Sequence, residues 1–233
     1  MPDPVHLPQL DIAARPSVAD MVFTELHRQV LTLDLMPGAK LSEVEVARQM
    51  GVSRQPVRDA FYRLSKMGFL LIRPQRATTV TLISPEAVMR ARFIRAALEV
   101  ETVRVAATVL TEADLDALSA IIEAQDEAIK CDDRTEFHKL DEQFHHQICA
   151  RAGLGFTWDL IAENKGHMDR VRMLSLSFGS RVAWEEHVAL LAALRARNAD
   201  AASDLMRAHL GRIRDQLGRI RAENEALFEP NEA

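Results

Sequence analysis

Gly51-Val52-Ser53 is the most constraining stretch of this chain, because it joins two helical patterns at a tight angle. Upstream, Ser42 opens a helix with Val44, Val46, Ala47 and Met50 on its apolar face. Glu45, three residues after Ser42, makes the start a capping box. The turn calls for a residue with φ > 0, which glycine adopts without steric cost. Val52 fills the angle between the helices. Ser53 caps the next helix, and Pro56 sits in its first turn, where a missing N–H costs little. Val57, Ala60, Phe61 and Leu64 recur on one face of it, and Gly68 ends it.

The flanks complete the outline. Val22, Leu26, Val30 and Leu33 mark a preceding helix that Met36-Pro37-Gly38 stops. After Gly68, the runs Phe69–Ile72 and Thr78–Leu82 surround the polar turn Arg73-Pro74-Gln75-Arg76 and predict a β-hairpin. Three helices and a hairpin make a winged helix-turn-helix over residues 18–83. In such a unit the N-terminal residues of the second motif helix meet base edges in the major groove. Ser53 at the helix start suits a phosphate. Arg54 and Arg58 suit guanine, and Gln55 suits adenine. Arg76, at the hairpin tip, suits a neighbouring groove or phosphate. Charge agrees: residues 21–84 carry nine Lys or Arg against five Asp or Glu, leaving 20 against 29 elsewhere in a chain of net charge −5. A basic segment beside an acidic remainder points to two jobs and to double-stranded operator DNA as one partner.

Residues 1–17 hold four prolines and read as a loose arm. Ser84-Pro85 opens a helical remainder with helices expected over about 85–108, 112–130, 134–151, 155–176, 180–197 and 200–227, punctuated by Gly153, Gly155, Gly179 and Asn198. The fold class is therefore mainly α: a winged helix-turn-helix followed by an all-α six-helix bundle over 84–228, with a tail at 229–233. No apolar run approaches the roughly 18–20 residues of a membrane span, and the first residues lack the pattern of a signal peptide, so a cytoplasmic protein is expected. Cys131 and Cys149 are far apart and form no metal or disulfide motif.

The helical remainder contains one polar constellation. Asp141 and His145 are four apart and share a helix face, His187 follows on a later helix and His209 on the last. One carboxylate and three imidazoles can hold zinc, nickel, manganese or iron. A plain i, i+4 pair between Asp141 and His145 is the alternative. His138, His146 and His167 have no evident grouping. Glu142-x-x-His145 has the form used by di-iron bundles, but Met206 stands where the second copy needs a glutamate before His209.

Pro37-Gly38, Leu41-Ser42-Glu43, Gly51-Val52-Ser53-Arg54 and Pro56-Val57-Arg58-Asp59-Ala60 resemble the winged helix of GntR-type regulators. Arg95-x-x-Leu98-Glu99, Asp141-x-x-Phe144-His145, Glu186-His187 and Ala208-His209-Leu210 resemble the FCD effector domain of the FadR subfamily, in its shorter, VanR-like version. Two positions depart from the pattern: Ala77 replaces the usual wing glycine, and Val44 an arginine that often meets DNA. The resemblance implies a repressor, working as a homodimer, with no enzymatic activity. It implies a divalent metal, zinc foremost, on Asp141, His145, His187 and His209. It also implies a small carboxylate-bearing effector at that metal, with Arg95 beside it, and a hinge near Ile83-Ser84-Pro85. A purely structural metal is the competing implication.

Overall fold

The computed structural model describes residues 16–73 and 76–230 of the chain. The expected arm lies outside the described residues except for Pro16 and Ser17, as do Pro74 and Gln75 of the hairpin turn and residues 231–233 of the tail. The described residues divide into two compact units, residues 16–28 with 40–79, and residues 29–39 with 80–230.

The smaller unit carries the expected winged helix. Helix α1 spans Val18–Leu31, strand β1 Lys40–Leu41, helix α2 Glu43–Met50 and helix α3 Arg54–Lys66, and strands β2 (Leu70–Leu71) and β3 (Thr78–Val80) follow. Val57, Ala60, Phe61 and Leu64 are all buried, as the 3.6-residue period of α3 requires. Gly51 closes α2 with φ 66°, the left-handed conformation that the turn demands. Two expectations fail here. Ser42 and Ser53 hold the N-cap positions, but neither side chain makes a capping hydrogen bond. Glu45 turns instead to Arg48 and Gln49. Val44 faces outward, 56% exposed, so only Val46, Ala47 and Met50 are left to pack inward. The hairpin becomes a three-stranded sheet of order β1-β3-β2, with Lys40 opposite Thr79 and Leu41 opposite Thr78.

The larger unit holds six α-helices: α4 (Pro85–Val109), α5 (Glu112–Lys130), α6 (Arg134–Arg151), α7 (Gly155–Asn164), α8 (Gly166–Arg195) and α9 (Ala199–Glu223). Their starts are chemically marked. Ser84 Oγ accepts from Ala87 N–H, Thr111 and Asp114 form a capping box, and Asn198 Oδ1 accepts from Ala201 N–H. The core joins Val103 and Ala106 of α4, Leu115 and Leu118 of α5 and Phe144 of α6 to Leu194 of α8 and Met206 of α9. No described helix is long and apolar enough to cross a membrane.

The count of six stands, but the division between the fourth and fifth helices moves. The break falls at Lys165, and Gly179 lies inside the 30-residue helix α8. A mid-helix glycine costs only about 1 kcal/mol relative to alanine, which tertiary packing overrides. At that break the Lys165 ammonium turns inward, onto Glu142 and onto Asp169 Oδ2 at 2.6 Å. The last helix also ends early, at Glu223, and a 3-10 turn over Glu225–Leu227 leads to Phe228. Ile83 and Phe228 form a parallel bridge: Ile83 N–H donates to Leu227 O and Glu229 N–H to Ile83 O. Glu229, expected in the tail, is thus fastened to the segment entering α4.

Candidate functional site

Helix α3 presents the expected reading face. Arg54 and Arg58 are four residues apart on that helix, and their side chains are 58% and 56% exposed. Ser53, at its start, keeps its hydroxyl free of a capping bond. Gln55 Nε2 donates to Asp59 Oδ1 at 2.9 Å along the helix surface. The sequence reading missed a third participant. Glu43, at the start of α2, places Oε2 3.4 Å from Arg54 Nη2 and 3.3 Å from Arg58 Nη2. It also missed the company of Arg76, which shares a small surface hollow in the wing with Lys40 and Arg73. The wing thus carries a cluster of three cations, which suits a phosphate backbone.

In the helical unit, Asp141 and His145 of α6, His187 of α8 and His209 of α9 converge, with one potential ligand atom from each lying within 4.8 Å of all the others. The i, i+4 spacing on α6 places Asp141 and His145 side by side, and α8 and α9 supply the rest. All three imidazoles are turned the same way. His187 Nδ1 faces Gln125 Oε1 at 3.0 Å, and His209 Nδ1 faces Glu186 Oε2 at 2.7 Å. His145 Nδ1 lies 2.5 Å from Glu99 Oε2. His187 and His209 thus each have an acceptor for Nδ1–H, which leaves their Nε2 atoms as lone pairs aimed inward, whereas the approach of His145 to Glu99 is an ion-pair contact without hydrogen-bond geometry. His145 Nε2 and His209 Nε2 stand 3.2 Å apart, at hydrogen-bond distance with the direction set by the His145 tautomer. Asp141 Oδ1 and His187 Nε2 are buried with no hydrogen-bond partner.

That donor set fits a divalent cation. Orphaned buried acceptors cost about 1–3 kcal/mol each, and a cation between them removes the cost. Backing of each imidazole by an outer acceptor is the usual arrangement around a metal. Burial pushes His187 and His209 below the ordinary imidazole range and so favours the neutral rings that metals bind. Burial would raise Asp141, but Arg172 and the facing imidazoles outweigh it and hold the carboxyl well below its usual range.

Beside the cluster an open-mouthed cavity holds about 610 Å³ of atom-free space, the mouth included, and Arg92, Arg95, Arg172 and Arg212 line it with Asp141 and His209. Arg95, the expected effector residue, is 1% exposed and donates Nε to Glu99 Oε1 at 2.5 Å. Its Nη2 has no partner. The sequence reading missed Arg172, which bridges Asp141 and Glu142. Among the histidines left ungrouped, His146 has its ring 5.7 Å from that of Trp158, and His167 Nδ1 meets Arg170 Nη2 at 2.8 Å. His138 does group, with Glu142 and Asp169. Lys165 already occupies the place between those two carboxylates, so that trio has its cation.

Comparison with known proteins follows the same two-part division. Residues 18–80 match the model of bacterial regulatory proteins of the gntR family, and residues 91–212 match that of the FCD domain. The HTH-type transcriptional repressor RspR of Escherichia coli K12 is 35% identical over 213 residues, covering 91% of this chain and 93% of its own. The chain belongs to the GntR family.

Solved structures agree with this GntR-family regulator in fold. E. coli McbR/YncC superposes with a TM-score of 0.75 at 24% identity, covering 90% of this chain and 99% of its own. A GntR regulator from Rhodococcus sp. RHA1 gives 0.72 at 22% identity, covering 89% and 99%. The family and its relatives are transcription regulators and not enzymes. The di-iron alternative loses its glutamate as well, since Glu142 is held by Lys165 and Arg172 and is no member of the cluster with His145.

Proposed function

We propose that this GntR-family regulator is a repressor whose grip on operator DNA is set by a small organic acid bound at a metal in the FCD domain. The observation that carries the reading is the convergence of the Asp141 carboxylate with three imidazoles, with Asp141 Oδ1 and His187 Nε2 buried and unpartnered, beside an arginine-lined cavity. Asp141, His145, His187 and His209 would hold the metal, with zinc the best match to the donor set. Bound there, the metal supplies a Lewis-acid anchor for a carboxylate. Arg95 Nη2 offers that acid a charge-assisted hydrogen bond. Glu99, Gln125 and Glu186 keep the imidazoles turned inward.

On the DNA side, Ser53, Arg54, Gln55 and Arg58 read the operator, and Arg76 with its wing neighbours grips the backbone. Two chains pairing as a homodimer would meet two half-sites of a near-palindrome. The acid can act on DNA affinity only by binding the competent and incompetent arrangements unequally. Such a regulator works in the cytoplasm, where its DNA is. The kinship with RspR, a named repressor, supports the direction of control.

Native mass spectrometry of gently purified protein tests the metal and the dimer together. A dimer with one divalent metal per chain is the expected result. A chain still empty after zinc, nickel and manganese are offered would sink the metal assignment. For the DNA face, Arg54→Ala and Arg58→Ala should weaken operator binding by about 1–3 kcal/mol each, with a smaller loss on random DNA. Equal losses on both would make those arginines phosphate contacts only.

A further inference from the structure

With a divalent cation at the cluster, the cavity beside it would carry more positive charge than one carboxylate can answer. Each carboxylate of the neighbourhood already has a cation. Asp141 and Glu142 share Arg172, Glu142 and Asp169 share Lys165, Glu99 has Arg95, and Glu186 has Arg212. Arg92 is left over. Its Nε is buried without a hydrogen-bond partner, and no ion pair involving it occurs among the described residues. With Arg92 counted, the side-chain charges balance. A divalent cation at the cluster, whose Asp141 and His187 are fully buried, then leaves two positive charges there and beside the cavity, and uncompensated buried charge is costly.

The free donors also have a location. Arg92 and Arg95 are three residues apart on α4, hence on one face of that helix, and both line the cavity. Arg95 spends Nε on Glu99 and keeps Nη2 buried and unpartnered. Two orphaned guanidinium donors on one cavity wall form a fork that suits the planar oxygens of a carboxylate.

We infer that the effector is a small dicarboxylic acid, with one carboxylate at the Asp141–His145–His187–His209 cluster and the second between Arg92 and Arg95. The inference builds on the metal-and-acid reading above but adds a second anionic subsite and the dianionic class that it selects. A dianion answers both excess charges at once, and a monoacid of the same length leaves the Arg92 end bare.

Calorimetric titration of the zinc-loaded full-length protein tests this, with malonate, succinate and glutarate set against propionate, butyrate and valerate. At least one diacid should bind about tenfold or more tighter than its matched monoacid. Arg92→Gln should abolish that preference while leaving monoacid binding and zinc content unchanged. Because Arg92 has no partner to lose, the variant should fold as the parent does, which its thermal midpoint checks. Equal binding within every pair, no binding by any diacid, or a preference that survives Arg92→Gln would each overturn the proposal. Failure of zinc to bind would overturn the metal reading instead. The Arg92-dependent preference would then be sought on the metal-free protein, and its absence there would overturn the second subsite too.

Discussion

The Glu43 carboxylate reaches across the turn to Arg58, Oε2 to Nη2 at 3.3 Å, and the same oxygen lies 3.4 Å from Arg54 Nη2. One acidic group therefore contacts two of the proposed base-reading arginines on the face proposed to meet DNA. An exposed ion pair of this kind contributes only about 0–1 kcal/mol to folding. Its larger effect falls on selectivity. Glu43→Gln should bind random DNA several-fold tighter, bind the operator no tighter, and leave thermal stability unchanged. Fluorescence anisotropy on both DNAs across a salt series measures this. An unchanged ratio of operator to random affinity would show that Glu43 has no part in selection.

The backing of His187 by Gln125 makes a separate prediction. Gln125 is fully buried, takes the His187 Nδ1 proton on Oε1 and donates Nε2 to Leu140 O at 3.2 Å. Gln125→Leu keeps the volume and removes the acceptor. Zinc affinity, read by competition with a chromophoric chelator, should fall about 10–100-fold, as outer-shell losses do elsewhere. Unchanged affinity would mean that the His187 ring is held by packing alone.

His167 should make the fold acid-sensitive. Burial, with help from Arg170 and Arg90, pushes its imidazole down to about 3. Its Nδ1 faces Arg170 Nη2 at 2.8 Å and Ser84 N–H at 3.4 Å, so a proton there would confront two donors. The unfolded chain takes up that proton near pH 6.5 and the folded chain only near pH 3, so stability is full above about pH 6.5 and declines as pH drops through that window. His167→Gln should flatten the fall of the melting temperature between pH 6.5 and 5. An identical slope in the variant would remove His167 from the account.

Lys165 offers a test of the helix break. Its ammonium lies between Glu142 and Asp169, and Asp169 is 1% exposed. Lys165→Met preserves the stem and strands two carboxylates, although Glu142 keeps Arg172. Breaking a buried pair from one side costs about 3–5 kcal/mol. Urea denaturation should show a loss of that order, and a loss below about 1 kcal/mol would mean that water already serves the pair.

These elements differ in how plainly the sequence announces them. The winged helix is legible because its signals are local: the period of α3, the left-handed glycine at 51 and the β-prone runs around a basic turn. Strand β1 is not, since two residues carry no alternation to read. The α7–α8 break is illegible for a different reason. Lys165 has no breaker chemistry, and the carboxylates it meets lie on other turns and helices, whereas Gly179 looks like punctuation and is absorbed by packing. In the cluster, the Asp141–His145 spacing is visible on one helix, His187 and His209 follow on later helices as candidates, and the resemblance joins the four. Their backing is not visible, because Gln125 is 62 residues from His187 and Glu186 is 23 from His209. Such distances are closed only by the tertiary fold.

The bridge between Ile83 and Phe228 has a practical side. It puts the far end of the helical unit against the strand-like residue just ahead of α4, so a fluorescent protein fused after Glu229 would hang beside the entry to that helix. A reporter in that place would register whether Glu229 stays fastened to Ile83, and so whether the first residue leading into the helical unit is held or released.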